Sequence, residues 1–273
     1  MFNQRHSRNI FEAAGKTLTL IYHQAVYNLR TDHRNAVIGL LITIAQTMIF
    51  MAAFLVIFMV LGVRQSPIRG DFILYIMSGI FMFMTHVKTV SAVSGSHSIS
   101  GGLIKHEPLN PAVLIAAAAI AVLYRQTISC LAILGLYHVL FGPITISQPV
   151  GALAMYLEAW FSGVCVGLVF LGIRPWAPKA SALMATAYQR INMFASGKMF
   201  VANVLPNFML PWFIWNPLFH IIDQMRGFLF TNYTPQKTDP YYAIWFSLGA
   251  MMVGLLINFS TRKHESLSWS AGH

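Results

Sequence analysis

Hydrophobic positions run unbroken along most of this chain, and polar positions collect in short bursts between them. Residues 36–62, AVIGLLITIAQTMIFMAAFLVIFMVLG, carry no charge at all, and 72–90 and 150–173 are nearly as apolar. About 20 such residues cross a bilayer as a helix. The runs are continuous rather than alternating, which predicts a helix bundle and not a β-barrel. The run from 112 to 141 contains Arg125 and is too long for one straight crossing. Its span is placed at about 119–141, with Arg125 snorkelling near one end. A fifth span is placed at about 185–205, holding Arg190 and Lys198, and a sixth at 241–259. The expected fold is an all-α integral membrane protein of six transmembrane helices.

Two further stretches show helical periodicity with a polar side. Near the N-terminus Leu18, Ile21, Tyr22, Ala25 and Leu29 recur at helical spacing among basic residues. They predict an amphipathic helix lying on the membrane surface, the alternative being a solvated basic tail. Between spans five and six stands WNPLFHIIDQMRGFLF. Asn216 before Pro217 is a helix start, an N-cap followed by Pro at the first turn. Leu218, Ile221, Ile222, Met225 and Leu229 then form one face, and His220, Asp223, Gln224 and Arg226 the other. Asp223 and Arg226 are spaced to pair. This predicts a short amphipathic helix dipping into one leaflet.

Composition strengthens the membrane reading. Hydrophobic residues make up 56% of the 273 and charged ones only 10%, against about 25% charged in soluble domains. The formal charge of +10 does not point to nucleic acid, because Lys and Arg sit mostly in short loops. Six spans put both termini on one side, where eleven Lys and Arg fall, against four on the other. Both termini are therefore expected in the cytoplasm, and the helix at 216–229 outside it. The organisation expected is a cytoplasmic segment at 1–35, a membrane domain at 36–259 and a cytoplasmic tail at 260–273, with no cleavable signal peptide. Cys130 and Cys165 lie in apolar runs and read as buried, inert thiols.

Motifs for chemistry are missing. Gly15-Lys16-Thr17 looks like the end of a phosphate-binding loop, but Ile10 stands where that motif needs glycine. HExxH, GxSxG and CxxC do not occur, and no two histidines share metal-ligand spacing on one helix. The chain is expected to bind no metal or cofactor, and any ATP with its Mg to sit on a partner. Two polar constellations remain. In LIKHEPLNP, the residues Lys105, His106, Glu107, Pro108, Leu109 and Asn110 form a short, Pro-bracketed polar tip in a cytoplasmic loop. Such a tip docks into a groove on another protein, unless it is an ordinary connection. Arg190 and Lys198 are eight residues apart, so one helical face holds both, with the rings of Tyr188 and Phe194 near it. A basic, aromatic face suits an acidic sugar. The alternatives are an interface anchor for Arg190 and an ion pair with Glu158 for Lys198. Gly163 and Gly167 form a small-xxx-small pair for close helix packing.

The residues from Lys105 to Pro111, then SGKMFVANVLP, then NPLFHIIDQMR resemble the membrane subunit of ABC-2-type exporters. That family carries small residues in its fifth span, Leu-Pro, and about ten residues later Pro-Leu-x-His, five residues and Arg. Here these read Ser196, Leu205-Pro206, Pro217-Leu218-Phe219-His220 and Arg226. Within the class the chain is most similar to capsular polysaccharide export permeases. Lys198 departs from the small or apolar residue usual there. The resemblance implies a homodimer of permeases forming a channel above two ABC ATPase subunits, in a bacterial inner membrane. It implies that the loop of Lys105–Pro111 couples to the ATPase, and that the cargo is a lipid-linked, acidic capsular polysaccharide. A periplasmic adaptor and an outer-membrane polysaccharide export protein complete the implied set. The helix with Asn216, Pro217, His220, Asp223 and Arg226 becomes a lid or rim at the channel exit. A permease for O-antigen, teichoic acid or a small molecule is the alternative, and a secondary transporter without ATP a more distant one.

Overall fold

Proline decides where most of the helices begin. In a computed structural model, which describes residues 10–31, 36–60, 62, 67–68, 70–99 and 110–270, the regular structure is entirely helical. The helices are α1 (Ile10–Thr31), α2 (Ala36–Val60), α3 (Phe72–Ile99), α4 (Pro111–Leu140), α5 (Pro149–Ile173), α6 (Pro178–Ala195), α7 (Pro217–Leu229) and α8 (Pro240–Ser270). The last five each open on a proline, whose fixed φ and missing N–H suit a first turn. Asparagine caps two of them: Asn110 accepts from the Ala112 N–H at 3.0 Å, and Asn216 from that of Leu218 at 3.1 Å. Asp71 does the same for α3 through the Ile73 N–H.

Five helices are long and apolar enough to cross a membrane: Val37–Val60, Phe72–Ser96, Pro111–Leu140, Pro149–Ile173 and Pro240–Thr261. Three expectations about them change. The third apolar helix does not begin near 119; α4 runs unbroken from Pro111, and Val113, Leu114, Ala117 and Ala118 in its first turns are buried by protein. Arg125 then lies mid-helix and donates to the Asn28 carbonyl of α1 at 2.7 Å. The fifth predicted span, 185–205, is not one helix, since α6 ends at Ala195. Last, α8 continues as helix past 259 to Ser270, while its membrane-length part, Pro240–Thr261, agrees with the span placed at 241–259.

Hydrocarbon offers no hydrophobic drive for helices to associate, so close packing must do it. α3 is the centre of the bundle, with Tyr75, Met77, Ile80 and Met82 enclosed. On α5, Gly163 and Gly167 face α3 so closely that an added Cβ would come 2.7 Å from the His86 carbonyl oxygen and 2.7 Å from Val93 Cβ. α2 and α8 expose apolar side chains such as Leu41, Ile49, Trp245 and Leu256. α1 leans Ile21, Ala25 and Leu29 against Ala117 and Ala121 of α4, while Leu18 and Tyr22 stay exposed. Its stripe is thus partly covered by protein.

Candidate functional site

The break after α6 creates the most polar part of the interior. Gly197 turns the chain with φ +71°, a left-handed conformation that glycine takes without steric cost. A Cβ there would also come 2.5 Å from a ring carbon of Phe219. The chain then passes through short 3-10 turns at Ala202–Val204 and Leu210–Trp212, and so leaves carbonyls without helical partners. Arg226 of α7 supplies them. Its Nη1 donates to the carbonyls of Gly197 at 2.9 Å and Phe200 at 2.6 Å, and its Nη2 to that of Lys198 at 2.6 Å. The guanidinium lies 4.2 Å from the centre of the Tyr75 ring, and the residue is 0% exposed.

Asp223, also buried, gathers the other half of the segment. It accepts from the Ala202 N–H at 3.2 Å, the Tyr233 hydroxyl at 2.6 Å and the Thr238 hydroxyl at 2.8 Å. Burial, followed by the Asp223 charge, pushes the Tyr233 phenol above its usual pKa, so it remains a donor. The expected Asp223–Arg226 pair does not form. Each charge is committed to a different stretch of neighbouring chain, and among the described residues the ion pair is Lys16–Glu12. Nor does α7 turn a wet face outward: His220 is buried with its two ring nitrogens engaged. The Asp239 N–H donates to His220 Nδ1 at 2.9 Å, so Nε2 carries the proton and donates to the Ile214 carbonyl at 2.8 Å. Asn216 donates to the Asn192 side chain at 3.0 Å and the Ala195 carbonyl at 2.9 Å, tying α7 to the end of α6. Pro217 begins α7 as the sequence predicts.

The four residues expected on one basic, aromatic face are dispersed. α6 stops before Lys198, so eight-residue helical spacing does not apply. Lys198 is 2% exposed; its Nζ donates to the Met193 carbonyl at 2.5 Å and lies 3.6 Å from the centre of the Phe83 ring. It does not pair with Glu158, which accepts instead from the Ser247 hydroxyl at 2.9 Å. Arg190 and Phe194, one turn apart on α6, do share an exposed face. Tyr188 points the other way. Its hydroxyl bonds His86 Nε2 at 2.9 Å, and His86 Nδ1 bonds the Ser162 hydroxyl at 2.9 Å, linking α6, α3 and α5. That link was invisible as a lone histidine in an apolar run.

Lys105, His106, Glu107, Pro108 and Leu109 lie outside the described residues; Asn110 is the cap of α4. Among the described residues no three His, Cys, Asp or Glu side chains group as metal ligands, and both cysteines are free thiols. An apolar cavity of 450 Å³ lies between α3, α4, α5 and α7, lined by Met77, Phe81, Leu134, Tyr156 and Met225 among others. The arrangement positions helices.

No family model matches the chain. It is similar to the Polysialic acid transport protein KpsM of Escherichia coli, 20% identical over 226 residues, covering 80% of this chain and 84% of that protein. A second Escherichia coli protein of the same name is 20% identical over 205 residues, covering 72% of this chain and 76% of its own length. The class defined by fold and similarity is a multi-span helical membrane protein related in sequence to a transport protein.

Proposed function

We propose that this chain is the permease subunit of an ATP-driven ABC-2-type exporter, and that it moves a lipid-linked acidic capsular polysaccharide from cytoplasm to periplasm. The observation that carries the reading is similarity over 80% of the chain to a protein named for polysialic acid transport. In this reading two copies form the channel in an inner membrane, and two ABC ATPase subunits bind ATP and Mg. A periplasmic adaptor and an outer-membrane export protein receive the polymer. α6 and the turn after it complete a sixth crossing, which returns both termini to the cytoplasm.

Each remaining part then has a task. The tip from Lys105 to Asn110 docks on the ATPase, and because Asn110 caps the 30-residue helix α4, a push there reaches a rigid rod. Arg190 and Phe194 line the polymer path on the open face of α6. Asn216, Pro217, His220, Asp223 and Arg226 fix α7 as the rim of the exit. Purification with candidate ATPases tests the core of this: an ATPase is expected to co-purify, and Glu107→Ala with Pro108→Ala to uncouple hydrolysis from export. Absence of any co-purifying ATPase, with export intact in that variant, would sink it. Arg190→Gln is expected to reduce export of an acidic polymer and spare a neutral one.

A further inference from the structure

At the opposite end of the bundle from α7, the last turns of α3, the C-cap of α5 and residues 181–189 of α6 enclose a polar pocket of 180 Å³. Arg174 lines it with Ser91 and Ser94 of α3 and with Ser181, Thr186 and Gln189 of α6. None of these six takes part in the network around α7. Their hydrogen bonds leave a definite pattern. The hydroxyls of Ser94, Ser181 and Thr186 donate to the carbonyls of Ser91 at 3.2 Å, Phe170 at 2.6 Å and Ala182 at 2.8 Å. A hydroxyl has a single hydrogen, so all three offer lone pairs to a ligand. Ser91 is the reverse: its oxygen accepts from Gln189 Nε2 at 2.9 Å and its hydrogen remains to give. Gln189 adds an amide oxygen. Arg174 gives one nitrogen to the Ser94 carbonyl at 2.8 Å and brings the pocket's charge.

The ligand must therefore donate as well as accept, and must tolerate a guanidinium. Inorganic phosphate near neutral pH brings mostly acceptors, with only one or two P–OH donors, to a wall that presents three sets of lone pairs. A metal ion meets Arg174, and among the described lining residues there is no carboxylate to offset it. A sugar ring donates and accepts through its hydroxyls, and a carboxylate on the ring matches the guanidinium fork. The volume holds one such ring. We infer that this pocket binds a single carboxylate-bearing sugar unit, as a loading subsite that adjoins the Arg190–Phe194 face, Thr186 standing one turn before Arg190 on α6. The inference deepens the export reading and rests on it for the source of the sugar.

Saturation-transfer NMR on the full chain in lipid nanodiscs tests it, with D-glucuronate, D-glucose and inorganic phosphate as probes. Glucuronate is expected to bind at least tenfold more tightly than glucose, and equal phosphate not to displace it. Arg174→Gln should erase the preference for glucuronate. Should that variant fail to fold, Ala182→Phe serves, because Ala182 is exposed and lines the pocket; it should abolish binding. Thr186→Val should weaken binding several-fold. Undiminished binding in Ala182→Phe, displacement by equal phosphate, or no signal from glucuronate would each overturn the assignment. Binding is read without ATP or partners, so its failure leaves the ATPase co-purification result standing, and the reverse also holds.

Discussion

α1 and α7 are both amphipathic, yet α1 keeps its polar side open and α7 buries it. On α1, Glu12 and Lys16 pair at 2.6 Å with both side chains about half exposed, and the Thr17 and Thr19 hydroxyls bond carbonyls of their own helix. The apolar stripe, together with the Asn28 carbonyl that accepts from Arg125, meets α4. On α7, Leu218, Ile221 and Ile222 are enclosed, and so are His220, Asp223 and Arg226. The difference lies in the neighbours. α1 rests on Ala117 and Ala121 of α4, whose backbone is already satisfied within its own helix. α7 lies against a broken helix whose loose carbonyls and N–H groups have no water to turn to. A short polar-sided helix beside a bilayer becomes core when the adjoining backbone needs its donors.

Substitutions should separate the two helices by size of effect. Arg226→Leu leaves three carbonyls without their donor, and a loss on the order of 3–5 kcal/mol is expected, read as unfolding in mild detergent. Arg226→Lys should recover part of it, since a single ammonium lacks the planar fork. Gly197→Ala should lose ~1–3 kcal/mol through its left-handed backbone, and trimming Phe219 in the same chain should relieve only the clash. Asn216→Ala should cost about 1 kcal/mol, the worth of an N-cap, and more if its bonds to Asn192 and Ala195 matter as much. On α1, Glu12→Gln should change stability by roughly 0.5 kcal/mol or less, with the remainder vanishing in salt. A large effect at Glu12 or a small one at Arg226 would erase the contrast.

The parts legible in sequence were those set by local rules. The Asn216-Pro217 start, the Ile21–Ala25–Leu29 stripe and the Gly163–Gly167 contact each depend on spacing within a few residues. The end of α6 was not legible, because hydrophobicity continues through 185–205 and Gly197 is a weak signal by itself. The spacing of Asp223 and Arg226 gave proximity but not competition. Arg226 finds its acceptors 26 to 29 residues earlier in the chain, and nothing local announces them. Lys198 likewise finds Phe83 on α3 rather than an acid. His86 bonds Tyr188 across 102 residues, a partnership that only the packed bundle creates.

Export by cells carrying Asp223→Ala together with Arg226→Ala, normalised to the amount of this chain in the membrane, is the most direct test that α7 and the turn it holds form a working part of the proposed exporter. Surface polysaccharide is expected to fall at least tenfold while the permease remains in the membrane. Export at the wild-type level per molecule would contradict that claim and leave α7 as a structural plug.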